Sequence, residues 1–299
     1  MNGIINVYKE KGYTSHDVVA KLRGILKQKK IGHTGTLDPD AEGVLPVCLG
    51  NATKLCDMIT AKEKTYRTVM LLGIETDTQD ISGKIINERP VEVSETEVIK
   101  TINAFVGPYN QIPPMYSAIK INGKKMYELA RAGIEVEREA RPVYIYEINI
   151  IEIKLPRVTM EVKCSKGTYI RTLCHDIGLK LGTYACMEEL LRTQSGVFGL
   201  DTAFKLADIE AMRDNNTLED KLIRVESVFA ELPSFSVNEK WNKYLYNGNR
   251  MPLESFDIKK TVNEWPVLIR VYDSNNAFIG VYEYKQDATD YKPVKLFLN

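Results

Sequence analysis

"IGHTGTLDPDAEGVLPVCLG" (Ile31–Gly50) is the stretch whose reading decides both fold and chemistry. Glycines at 32, 35, 43 and 50 interrupt it, and Pro39 and Pro46 each remove a backbone donor. Three carboxylates, Asp38, Asp40 and Glu42, accompany His33. Such a mixture predicts a long loop rather than a helix or a central strand. At its middle Asp38 precedes Pro39, and a residue before proline is pushed to an extended backbone. Gly32, Gly35 and Gly43 supply backbone shapes that other residues resist. Together these features hold one short carboxylate at a fixed angle. Taken alone, Asp-Pro is also a common way to begin a turn.

Outward from this loop the chain alternates periodic and broken segments. Upstream, Thr14 and Asp17 have the spacing of a capping box. The helix they open carries Val18, Val19, Leu22, Ile25 and Leu26 near a 3.6-residue period and is expected to run to about Lys30. Its end, "KLRGILKQKK" (Lys21–Lys30), holds five basic residues and no acid. Downstream, "TYRTVMLLG" (Thr65–Gly73) reads as a strand. "ETDTQDISG" (Glu75–Gly83) reads as a polar turn, since Asp77 and Asp80 lack calcium-loop spacing. Ser94–Val106 reads as a helix capped by Ser94 with Glu97. Residues of about 108–142 mix prolines, glycines and bases, with Lys120, Lys124, Lys125 and Arg131 set against Glu128. They form a long excursion of the kind that often carries function. Val143–Ile153 and Arg157–Ser165 alternate as strands. "TYIRTLCHDIGLKLG" (Thr168–Gly182) reads as a helix stopped by Gly182. A short helical piece follows Asp214–Asn216. "ELPSF" (Glu231–Phe235) is the expected seam between residues 1–232 and a β-rich tail, residues 233–299, whose strands flank an Asp273–Asn276 turn and include "KPVKLFL" (Lys292–Leu298).

Composition excludes several classes. Of 299 residues, 44% are hydrophobic and 27% charged, as in ordinary folded proteins. No apolar run reaches bilayer length. The opening "MNGIINVYKEKGYTS" lacks the order of a signal peptide, so a cytoplasmic protein is expected. The five cysteines are an odd count without a CxxC pair, which argues for free thiols rather than a disulfide framework or zinc ribbon. His16, His33 and His175 are not at metal-ligand spacing. The formal net charge is zero, unlike that of a dedicated nucleic-acid binder, yet two basic clusters on one face would follow a phosphate backbone.

The second candidate constellation is "SKGTYIRTL" (Ser165–Leu173), with Tyr169 and Arg171 on the turn into a helix. An arginine aimed inward from there needs an acidic partner, because an unpaired buried charge is expensive. Asp38 is the obvious candidate. Pairing would lower its pKa and keep it ionised. Read singly, Arg171 is equally a surface-pair residue and Tyr66 equally a core aromatic.

Several separated motifs carry a family resemblance. "KIGHTGTLDPDAEGVLPVCLGNATK" (Lys30–Lys54) resembles the signature of the bacterial tRNA pseudouridine synthases of the TruB family. "NVYKEKGYTSHDVV" (Asn6–Val19) is similar to the family's opening motif, with Lys9, Gly12, Thr14 and Ser15 in place. "EKTYRTVMLLGIETDTQDISG" (Glu63–Gly83), "QIPPMYSAIKINGKKMYELARAGIEVEREARPV" (Gln111–Val143), "CSKGTYIRTLCHDIGLKLG" (Cys164–Gly182) and "ELLRTQSGVF" (Glu189–Phe198) are also similar. The resemblance covers about residues 3–200 closely and the tail loosely.

It implies an α+β catalytic domain on a mixed, mostly antiparallel sheet flanked by helices, with a small PUA-like β-barrel domain that binds RNA. It implies Asp38 as catalytic aspartate, Arg171 as its partner, and Tyr66 as the tyrosine that packs on the target base. His33, Tyr169, Leu190 and Lys9 are implied as substrate contacts. Two positions depart from the family pattern. Asp40 adds a carboxylate where a neutral residue is common, which would shift the pKa of Asp38. Leu191 stands where a basic residue is common.

The implied reaction turns uridine into pseudouridine at position 55, in the TΨC loop of tRNA. The bond from N1 to C1′ breaks, the base turns, C5 joins C1′ and the C5 hydrogen leaves. No oxidation state changes, so no cofactor or metal is expected. The expected partner is the TΨC arm of tRNA, not DNA or a membrane, bound by a monomer. Three rivals stand beside this reading. "GHTG" (Gly32–Gly35) has part of a nucleotidyltransferase phosphate turn but lacks its second histidine. A non-catalytic tRNA-folding chaperone would not need Asp38. A guide-directed enzyme of the same family would work within a ribonucleoprotein.

Overall fold

The computed structural model describes residues 1–257 except 118, 122 and 135, together with residues 265–298. The chain opens with β1 (Gly3–Lys9) and α1 (Ser15–Leu26), then β2 (Ile31–His33), β3 (Glu42–Leu49), α2 (Cys56–Thr60) and β4 (Lys64–Leu72). A hairpin of β5 (Ile74–Thr76) and β6 (Ile85–Glu88) leads to α3 (Glu95–Asn103) and β7 (Gly107–Gln111). The excursion holds β8 (Lys120–Ile121), β9 (Lys124–Lys125) and α4 (Met126–Arg131). Then come β10 (Arg141–Lys154), β11 (Arg157–Cys164), α5 (Ile170–Leu181), β12 (Ala185–Ser195), β13 (Phe198–Gly199) and α6 (Leu206–Asp214). The tail contains β14 (Ser234–Ser236), α7 (Asn242–Tyr246), β15 (Met251–Pro252), β16 (Leu268–Tyr272), β17 (Phe278–Lys285) and β18 (Asp290–Leu296).

The main sheet runs β1-β3-β12-β4-β11-β10-β7, with β2 attached to β3 and β13 to β12. Its pairings are antiparallel except for a brief parallel contact, where Leu191 and Arg192 of β12 meet Glu42 and Gly43 of β3. The expected mixed, mostly antiparallel α+β fold is therefore present. Alternation explains β11, whose Val158, Met160, Val162 and Cys164 face the helices while Thr159, Glu161 and Lys163 face outward. Those inward residues meet Leu173, Cys174 and Ile177 of α5 and Val98 and Ile102 of α3 in one core. A second core joins α1 and α6 to β1 and β3 through Val18, Leu22, Ile209, Ile5 and Val47.

The loop expected across Ile31–Gly50 is corrected in part. Its second half is β3, a strand buried along almost its whole length between β1 and β12. A strand covered on both faces is continuously apolar, so "VLPVCL" shows no alternation. Pro46 lacks a donor, but its carbonyl still accepts from Thr34 N–H at 3.1 Å and Thr34 Oγ1 at 3.0 Å. Only the connection between β2 and β3 is irregular, and it carries Asp38. Helix α1 has the expected capping box but ends at Leu26, four residues before Lys30. There Lys27 adopts a left-handed conformation, with φ of 48°.

The tail forms a second sheet, ordered β14-β16-β17-β18-β15. It packs on the main body through Phe229, Phe278 and Phe297, with Phe278 and Phe297 stacked at 5.6 Å. Among the described residues, no helix is long and apolar enough to cross a membrane.

Gly43 marks the closest approach in the sheet. Its φ is +105°, and a Cβ there would stand 2.2 Å from the Arg192 carbonyl oxygen. Backbone atoms cannot yield to that contact, so Gly43→Ala is expected to cost about 3 kcal/mol or more. Gly12, with φ of +88° and nothing within 4 Å, is the control. Gly12→Ala carries only the dihedral strain, about 1–2 kcal/mol. Urea unfolding midpoints measure both.

Candidate active site

Arg171 lies in the first turn of α5, and its side chain is only 6% exposed. Its Nε meets Asp38 Oδ2 at 3.1 Å, so the pairing inferred from desolvation is present. Both of its other nitrogens are also engaged. Nη1 donates to Thr78 O at 3.1 Å and lies 3.4 Å from Asp80 Oδ2, and Nη2 donates to Tyr116 O at 2.8 Å. One guanidinium thus ties α5 to the β2–β3 connection, to the β5–β6 turn and to the excursion.

Asp80 was not legible as a site residue, because "TDTQD" reads as an acidic turn. The structure gives that turn a built geometry. Thr76 Oγ1 donates to Asp80 O at 2.6 Å, and Thr78 Oγ1 to Asp80 Oδ1 at 2.8 Å. Gln79 takes a left-handed φ of 63°, and its side chain accepts from Thr172 Oγ1 at 2.7 Å. Backbone bonds between Gln79, Ile81 and Met187 fasten the turn to β12. Asp80 is therefore aimed at Arg171, not left in solvent.

The Asp38 side chain remains 42% exposed, so its carboxylate is reachable. Arg171 does lower its pKa as expected, but the expectation of a lowered net value needs correction. The net shift is upward: burial in the cleft outweighs the favourable charge of Arg171, and Asp80 and Asp40 raise it further. Asp40 thus contributes in the expected direction, as the last of these influences.

Lys9, expected as a substrate contact, is fully buried. Its ammonium donates to Ala41 O at 2.6 Å, Pro39 O at 3.1 Å and Glu10 O at 3.2 Å. It clips the Asp38 loop from beneath, and burial pushes its pKa down to about 8. His33 ends β2, half-buried, with its ring 5.1 Å from that of His16. Burial first, then the charges of His16 and Arg192, press its pKa down to about 4, so it is neutral near pH 7. Gly35 N–H donates to His33 Nδ1 at 3.4 Å, which leaves the ring proton on Nε2.

Tyr66 on β4 and Leu190 on β12 both pack at the edge of the main core. Burial raises the pKa of the Tyr66 phenol, while Arg192 opposes that rise. Tyr169 precedes α5, and Gln111 clamps its backbone. Gln111 Nε2 donates to Tyr169 O at 2.9 Å, and Tyr169 N–H donates to Gln111 Oε1 at 2.8 Å. Asp38 and Arg171 both act on the Tyr169 hydroxyl, which burial shifts upward. The structure thus gathers Asp38, Arg171, Tyr66 and Tyr169, while His33 stands on the same connection and Lys9 behind it.

Of the basic clusters, the first stays at the surface, where Arg23 Nε donates to Lys29 O at 3.1 Å. In the second, Lys125 and Arg131 lie over the Tyr127 ring at 5.3 and 5.5 Å. Residue 122 of that cluster lies outside the described residues.

The N-terminal domain profile of the TruB family of pseudouridylate synthases matches residues 23–170, and the C-terminal domain profile of tRNA pseudouridylate synthase B matches residues 171–229. The chain belongs to the TruB family. It is an isomerase that converts uridine to pseudouridine. Among curated proteins it is 52% identical to tRNA pseudouridine synthase B of Lachnoclostridium phytofermentans, over 100% of both chains. It is 46% identical to tRNA pseudouridine synthase B of Clostridium perfringens, over 100% of this chain and 99% of that one. Among solved structures it resembles a chain of a Cbf5-Nop10-Gar1 complex, with a TM-score of 0.73 and 27% identity over 99% of this chain and 85% of that one. It also resembles a chain of an H/ACA RNP bound to a substrate RNA containing 2′-deoxyuridine, with a TM-score of 0.72, 25% identity and the same coverage.

The geometry generates two expectations. A lysine cannot reproduce the fork that Arg171 presents. Arg171→Lys should lower the single-turnover rate about a hundredfold, with RNA affinity little changed in a filter-binding assay. Activity that requires the Asp38 carboxylate is lost as pH falls through its raised pKa. Asp80→Asn removes a like charge, so the acid limb of the rate profile should move to lower pH, whatever the plateau rate. Rates measured between about pH 4 and pH 7 check the sign.

Proposed function

We propose that the substrate is tRNA and that the modified residue is uridine 55 of the TΨC loop, with Asp38 as the catalytic group. The observation that carries this reading is the reachable Asp38 carboxylate held 3.1 Å from a buried Arg171. The names of the full-length relatives support the choice of tRNA.

The target base leaves its stack at a cost of a few kcal/mol. Neutral His33, on the glycine-flanked connection, meets the nucleotide that has left. Tyr66 packs on the base, Tyr169 and Leu190 border the pocket, and Asp38 acts as the carboxylate nucleophile that opens the path. Arg171 keeps that carboxylate aimed and charged. Tyr66 then takes the C5 proton. The basic residues around α4 grip phosphates without reading sequence, and the excursion closes over the arm. RNA recognised in this way is read by its shape and its unpaired nucleotides.

The catalytic part spans residues 1–232, with residues 233–299 as an RNA-binding, PUA-like appendage. The enzyme works as a cytoplasmic monomer. Lys9 supports the loop that carries Asp38 rather than touching RNA, since three backbone carbonyls occupy its ammonium.

The test is release of C5 tritium from labelled tRNA transcripts, each altered in one arm. Wild-type protein should release it only when the TΨC arm is intact. Asp38→Ala should lower release more than about a thousandfold while still binding the transcript. Full release by Asp38→Ala would refute the assignment of the nucleophile. Release that ignores the TΨC arm would refute the substrate.

A further inference from the structure

Arg192 is the largest fully buried side chain among the described residues, 1% exposed. It stands on β12 directly across from Tyr66 on β4, so the two side chains share the face that looks onto the site. Its Nε donates to Val44 O at 2.6 Å and its Nη2 to Gly35 O at 3.3 Å. Among the described residues, no carboxylate forms an ion pair with it, in contrast to Arg171. A buried cation without a counter-charge is costly. It persists where it stabilises an anion that appears during work.

Among the described residues, Tyr66 is the titratable side chain that faces Arg192 directly across the β12–β4 pair, close enough for the two to act on each other. The other charged or titratable groups facing this pair are Lys9 on β1, Lys64 on β4, His33 on β2, Cys164 on β11 and Asp38. Lys9 and Lys64 spend their ammoniums on backbone carbonyls, the latter on Thr60 O and Lys62 O. Asp38 is bound to Arg171. Arg192 alone is placed to balance charge on the tyrosine oxygen.

We propose that Arg192 is a positioning residue for the last chemical step, holding the Tyr66 oxygen as the phenolate that removes the C5 proton. The proposal rests on the reading of Tyr66 as the base. After C5 has joined C1′, the Tyr66 phenol gives its own proton to water under the pull of Arg192, the C5–H bond breaks, and the C5 proton restores the phenol. The bonding pair becomes the C5=C6 double bond. The former N1=C6 pair returns to N1, which takes a proton from water. One proton leaves and one arrives, and no oxidant is needed.

The experiment compares Arg192→Gln, Arg192→Lys and Tyr66→Phe on two transcripts, one with uridine and one with 5-fluorouridine, which keeps its C5 substituent. For Arg192→Gln, rearrangement of the fluorinated base should proceed within about threefold of wild type. Tritium release from uridine should fall at least about tenfold and acquire a C5-deuterium isotope effect. Arg192→Lys keeps a cation in place and should recover part of the rate; its melting curve and transcript binding guard against a folding defect. Equal loss on both transcripts would overturn the proposal, as would release at the wild-type rate without an isotope effect. Tyr66→Phe without an isotope effect would instead remove Tyr66 as base, a failure of the underlying reading that is distinguishable from failure of Arg192.

Discussion

The site depends on one guanidinium. Arg171 is buried, and a buried cation must be matched on every donor or the fold loses several kcal/mol. Its partners come from three separate stretches: Asp38, the Thr78–Asp80 turn and the Tyr116 carbonyl. Helix α5 adds two further ties on the same side, Thr172 to Gln79 and His175 to Glu75 at 2.8 Å. The turn that carries Asp80 is thus threaded to α5 at several points. Gln111 in turn fixes where α5 begins.

A neutral chain can still place its charges by sign. Lys9 and Lys64 are driven inward, where desolvation lowers both pKa values to about 8 and their ammoniums brace loops. The bases near α4 stay beside the surface and lie over a tyrosine ring. The bases therefore fall into two populations, one buried and architectural and one at the surface. The same desolvation lifts Asp38 despite its arginine, which makes its carboxylate more basic than that of an exposed aspartate.

Legibility in the sequence followed local physics. Helices α1 and α3 announced themselves by Thr14 with Asp17 and by Ser94 with Glu97, and both capping boxes form. Strands β10 and β11 alternate because one face meets helices and the other solvent. Strand β3 escaped notice because both of its faces are covered and Pro46 mimics a loop signal. The Asp38–Arg171 pair was readable through the family resemblance; the residues alone left Arg171 equally a surface residue, because sequence does not say which arginine is buried. Asp80, Gln111 and Arg192 were not readable, since each owes its place to contacts with residues dozens of positions away. The sign of the Asp38 shift was also hidden: sequence names the charged neighbours but not how much water the cleft removes.

The tail is not a pendant. Phe278 and Phe297 sit in one apolar cluster with Ile4, Val44 and Phe229 of the main body, and Lys54 Nζ donates to Leu296 O at 2.8 Å. Severing the chain at the seam would lay bare that aromatic seat beside β1 and β3. A shortened enzyme would then trade part of its foldedness for a sticky surface. The appendage is held by the same hydrophobic mortar that backs the strand leading away from Asp38, so the two parts of this chain behave as a single mechanical piece.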